Sequence, residues 1–143
     1  MSRHERLEAF ATFPERLRGA ALAAAARPTQ PGEWGPPEVV RHLIAVEDEV
    51  HLRRLREIAV EDDPQWQWTE PGLAAGFDVV VLAEILEAFA VARATTVRLV
   101  RALDDNGWAR HGTHATYGPL DVEGLLRLAS DHDAEHLRGL AGG

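Results

Sequence analysis

Apolar residues recur along this chain at helical spacing in four stretches, separated by segments rich in Pro, Gly and Trp. In the first, Leu17, Ala20/Ala21 and Ala24 form an apolar stripe. Thr12-Phe13-Pro14-Glu15 reads as a capping box, with Pro14 in a first turn where its missing N–H costs little. A short lead-in helix, about residues 1–11, is therefore expected before the main bundle, about 12–141.

The segment Arg27–Pro37 holds Pro28, Pro31, Pro36 and Pro37 and cannot be helical throughout. Trp34 within it is expected to plug one end of a bundle. A second helix, from about Pro36 to Val60, presents Val39, Leu43, Val46 and Val50 on one face. A long loop follows, Glu61–Gly76, carrying Trp66 and Trp68, either as a lid or as cover for the bundle wall.

Asp78 is expected to cap a third helix reaching about Asp105, with Leu82, Leu86, Phe89, Thr96/Val97, Val100 and Leu103 as its stripe. Asn106-Gly107 would end it. Asp121 is expected to cap a fourth helix to about Leu140. No stretch reads as a convincing strand, since Val79–Leu82 merges into a helical period. Four helices of about 20–27 residues would be about 30–40 Å long, which suits side-by-side packing in an all-α four-helix bundle of one domain, residues 1–143.

Composition narrows the function classes. The 143 residues include no cysteine, which removes disulfides, cysteine metal sites and a protein thiol nucleophile. With 23 acidic and 15 basic side chains the net charge is -8, so no nucleic-acid partner is expected. No apolar run approaches the roughly 18 residues of a membrane helix, and Ala20–Ala26 is not a secretory leader. No membrane partner and a cytoplasmic location are the expectations.

His132 and His136 lie four residues apart and continue the apolar stripe of the fourth helix through Leu125, Leu126 and Ala129. That spacing stacks two imidazoles on one face, where both can bind one metal ion. His42 lies beside the stripe of the second helix and can add a third ligand. His51, nine residues on, would point to the opposite face. Core histidines without a metal would need several hydrogen-bond partners. Imidazole ligands suit one divalent ion, Zn, Ni or Fe. Three ligands leave a position open for water or substrate.

Glu47 is a candidate carboxylate behind the histidines, whereas Asp131, Asp133 and Glu135 diverge from the histidine face. Arg93 interrupts an apolar stripe, so it needs a partner. Glu47 is the first choice, and anion binding near the metal is the functional alternative.

Trp34 followed by Glu38-Val39-Val40-Arg41-His42-Leu43 and Glu47 resembles the second helix of the DinB-like superfamily. Gly107-Trp108, His111/His114, Gly118-Pro119-Leu120 and His132-Asp133-Ala134-Glu135-His136-Leu137 resemble its C-terminal half. The resemblance implies an up-down-down-up bundle, a mononuclear metal on His42, His132 and His136, and a homodimer. It further implies a small-molecule substrate, with low-molecular-weight thiol transfer (bacillithiol or mycothiol type) as the leading activity. A metal-dependent hydrolase and a non-catalytic metal-binding stress-response module are the alternatives. Gly35, where a Ser or Thr cap is common, and Arg138, where Gln is common, depart from the pattern without touching the ligands.

Overall fold

The computed structural model describes residues 1–142. Four long helical rods dominate. The first is α1 (Arg3–Ala24). The second is built of α2 (Pro36–Val46), a π-helical turn (Glu47–Leu52) and α3 (Arg53–Val60). The third is α4 (Leu82–Arg101), and a short helix α5 (Asp105–Ala109) follows it. The last rod is α6 (Val122–Leu140). α1 packs on α4 and α6, and α2 packs on α4. This is the up-down-down-up four-helix bundle expected. The connection 61–81 is long enough to carry the chain back along the bundle between the second and third rods.

α1 is not divided at Thr12. Ser2 caps it instead, in a capping box with Glu5, and the Thr12 hydroxyl donates to the Glu8 carbonyl inside the helix. Pro14 is tolerated in mid-helix because its lost hydrogen bond, to the Phe10 carbonyl, is replaced: Arg93 Nη1 donates to that oxygen at 2.9 Å. The expected lead-in helix is thus the first half of one rod.

Two further boundaries differ. Asp78 does not cap α4, because its carboxylate is held by Arg41 at 3.1 Å. The helix starts after Val81, and Val79 and Val81 stay exposed outside it. α4 ends at Arg101 because Asp104 caps the next helix, accepting from the Gly107 N–H at 2.8 Å, so Gly107 opens no αL stop. Asp121 caps α6 as expected, accepting from the Gly124 N–H.

A small sheet also forms where no strand was expected. β1 (Gln65–Trp66) pairs parallel with β2 (His111–His114), which pairs antiparallel with β3 (Gly118–Asp121). Strands this short show no alternation of their own, so tertiary pairing decides them. Gly112 is required here: a Cβ at this position would lie 2.7 Å from the Pro64 carbonyl oxygen and closer still to the Trp66 ring.

The core falls into two apolar clusters. One contains Leu7, Phe10, Ile58, Val100 and Leu126; the other contains Phe13, Leu17, Val40, Leu43 and Phe89. A buried ionic layer lies between them, with Arg93 at its centre. Its guanidinium sits 3.7 Å from the Phe10 ring centroid and 5.1 Å from that of Phe89.

Candidate metal centre

His42 projects from α2, and His132 and His136 from α6. One ligand nitrogen from each lies within 4.8 Å of the others. The Nε2 atoms of His132 and His136 face each other at 3.3 Å. The His42 ring centroid is 5.9 Å from that of His132 and 5.1 Å from that of His136. Nδ1 of His42 lies 3.4 Å from the Gly72 carbonyl, a long contact that favours the tautomer with Nε2 free.

Burial, then the neighbouring imidazoles, hold the His132 pKa down at about 4. Burial and His42 also lower that of His136. Both rings are therefore neutral at pH 7, the form a metal requires. The Nδ1 of His132 is buried without a hydrogen-bond partner. Imidazoles whose ligand nitrogens converge in this way fit a divalent ion.

Trp34 does not plug the end of the bundle. It is half-exposed, with its ring 5.1 Å from His42. The two loop tryptophans divide their roles. Trp66 is buried, bonded through Nε1 to Glu57, and covers the wall. Trp68 is exposed beside the site, its ring 5.8 Å from His132, and its Nε1 donates to Glu70. Glu70 Oε1 lies 3.7 Å from His42 Nε2, an approach with no signal in the sequence because the loop alone makes it.

Glu47 and Arg93 do pair, at 2.9 Å, but neither lines the cavity beside the histidines. Glu47 is committed to Arg93 rather than to a histidine. Arg93 is already engaged by Glu47, the Phe10 carbonyl and both oxygens of Asp133 at 3.0 Å. Burial opposes its charge, but Glu47 and Asp133 outweigh that and raise its pKa. Asp133 does turn away from the histidines, yet into the core, where it is fully buried. The stripe of α6 thus runs through Ala129 and Asp133 to Leu140, and the histidines flank it on the cavity side. A charged residue holds a core position because Arg93 compensates it.

His51 does not point to the opposite face. The π turn takes up one residue more than an α-turn and swings later side chains back by about 100°. His51 consequently lines the cavity, with its ring 6.1 Å from that of His132. Burial, then the Arg93 charge, hold its pKa well below the ordinary value. His51, His132 and Asp133 also bring ligand atoms within 4.8 Å of each other, but Asp133 is occupied by Arg93. His114, expected only as a loop residue, is buried and lines the same cavity; His4 and His111 are exposed and outside it.

The cavity has a volume of about 510 Å³. Its histidine end is rimmed by Trp34, Trp68 and Glu70, and Phe10, Leu55, Leu125 and Leu126 supply apolar wall. Among the described residues, no helix is long and apolar enough to cross a membrane.

Comparison with known proteins agrees with this architecture. YfiT from Bacillus subtilis, described as a probable metal-dependent hydrolase with an unusual four-helix bundle topology, superposes with a TM-score of 0.75 at 18% identity. That match covers 99% of this chain and 87% of YfiT. The four-helix bundle protein TT2238 superposes with a TM-score of 0.68 at 25% identity, covering 99% of this chain and 100% of that one. A search of the curated proteins gives no match. The model of the DinB superfamily matches residues 7–140, so this chain belongs to the DinB superfamily.

Proposed function

We propose that this protein is a metal-dependent enzyme acting on a small molecule, with His42, His132 and His136 holding one divalent ion. The observation that carries this reading is the convergence of three imidazoles at one end of a cavity of about 510 Å³. A divalent ion there would supply Lewis acidity, bringing the pKa of water or a thiol towards neutrality.

Hydrolysis is the reaction class best supported. Glu70 places a carboxylate oxygen 3.7 Å from His42 Nε2, and Trp68 orients it through the other oxygen. A carboxylate so placed can take the proton from an attacking water. The description of YfiT as a probable metal-dependent hydrolase is consistent with this.

Transfer of a low-molecular-weight thiol is the second reading. The cavity continues well past the histidines and offers room for a cosubstrate, and the chain has no cysteine of its own.

The test is turnover by protein loaded in turn with Zn²⁺, Ni²⁺ and Fe²⁺. Ester and amide substrates, and electrophiles with bacillithiol, mycothiol or glutathione, would be supplied separately. Hydrolysis predicts that Glu70→Gln lowers turnover by about a hundredfold while metal uptake persists. Turnover only with a thiol selects the second reading. Turnover that survives complete metal removal refutes both.

A further inference from the structure

Arg54 is only 7% exposed, yet it makes no ion pair and no hydrogen bond among the described residues. Arg93, the other buried arginine, is bonded on every side. The nearest acid on the same helix does not serve Arg54. Glu57 gives one oxygen to Trp66 Nε1 at 3.1 Å, and the other lies 3.7 Å from Arg53 Nε. What Arg54 has is the Trp66 ring, whose centroid is 5.8 Å from the guanidinium carbon, near the outer limit of a useful contact. Its guanidinium nitrogens keep some solvent contact through the pockets it lines, so the charge is free to meet an anion there.

Arg54 lines the same cavity as the three histidines. It also borders a shallower pocket of about 260 Å³, but that one lacks the histidines and the apolar wall of Phe10, Leu55, Leu125 and Leu126. The large cavity offers Arg54 a second donor. His114 accepts the Thr116 N–H on Nδ1 at 3.0 Å, which leaves Nε2 as the N–H of a neutral ring. Burial, then the Arg54 charge, keep that ring neutral.

We propose that Arg54 is the anion-recognising residue of the cavity, with His114 beside it, and that the ligand is a small amphipathic monocarboxylate. Arginine matches a carboxylate with two parallel donors. Phe10, Leu55, Leu125 and Leu126 would take the apolar body. Asp131, Glu135 and Glu70 also line the cavity, which disfavours a dianion such as a phosphate monoester. Placing the ligand's reacting end at the histidines rests on the metal-enzyme reading; the carboxylate site does not.

The test uses metal-free protein, so that no ion can bind the carboxylate and failure of the metal reading leaves the result unaffected. Hexanoate, hexanamide and hexylphosphonate are titrated separately and followed by 1H–15N NMR shifts of cavity residues. Hexanoate is expected to bind about tenfold more tightly than hexanamide. Arg54→Met should abolish that preference and Arg54→Lys keep part of it. Far-UV circular dichroism checks that both variants are folded, and Lys carries the test if Met does not fold. Equal binding of acid and amide by the wild type, no binding of hexanoate, or a preference unchanged in the variants overturns the assignment. Tighter binding of the phosphonate overturns the monocarboxylate class. An Arg54 that serves only to stack on Trp66 would leave ligand preference untouched.

Discussion

Arg93 completes the hydrogen bonding of a helix that Pro14 interrupts. A residue with an N–H at position 14 would bond the Phe10 carbonyl; Pro14 cannot, and Arg93 Nη1 reaches that oxygen from α4 at 2.9 Å. The same guanidinium binds Glu47 on the second rod and Asp133 on α6. One side chain thus ties together all four rods, at the level of the histidines and behind them.

Arg93→Met should destabilise the protein by about 3–5 kcal/mol, because it leaves Glu47 and Asp133 as buried charges without a partner. Combining it with Glu47→Leu and Asp133→Leu should recover most of that loss, since an apolar layer has no charge to desolvate. Urea denaturation of the single and triple variants checks both statements. A single variant as stable as the wild type would remove the layer from any structural role.

Metal ions should raise the melting temperature of the wild type and not that of His136→Ala. An ion at a hundred times its Kd adds about 2.7 kcal/mol to a protein that binds it only when folded. His42→Ala should behave alike despite lying on another helix, because the centre requires both. Thermal melts with Zn²⁺ and Ni²⁺ provide the measurement, and equal shifts in the wild type and both variants would exclude the centre.

The metal-free protein should lose stability as pH falls from about 6.5 to about 4. His51, His132 and His136 all have folded pKa values below the ordinary 6.5, so the unfolded chain takes up more protons in this window. His132, held at about 4, accounts for at most about 3 kcal/mol of this. Asp133 works in the opposite sense between about 4 and 6, because burial pushes its carboxyl up to about 6. It offsets roughly the His132 contribution, and the other two histidines leave the net loss. Urea midpoints at several pH values measure the slope, which His51→Gln should reduce. A flat profile across the window would contradict these shifts.

Gly112→Ala should cost about 1–3 kcal/mol, the range for forcing a group into filled space. Its methyl would press on the Pro64 carbonyl and Trp66, where β1 meets β2. Trp66 fluorescence and the urea midpoint should both shift. An unchanged midpoint would show that the sheet yields without cost.

The amphipathic periods of α1, the second rod, α4 and α6 are local properties, and they suffice to reveal the bundle and to bring His42, His132 and His136 together, although His132 and His136 flank the buried stripe of α6 rather than continue it. The i,i+4 pair on α6 is a consequence of helix pitch alone. Tertiary structure decided whatever depended on a partner distant in the chain. Pro14 sits mid-helix because Arg93 supplies the missing donor, and Asp133 occupies a core position because Arg93 neutralises it. His51 faces the cavity because a π turn breaks the periodicity from which its direction was read. The short strands exist only through one another, and Glu70 reaches His42 only through the fold of its loop. Periodicity records which face of a helix prefers to leave water, whereas pairing energies between remote polar groups leave no trace in a local pattern.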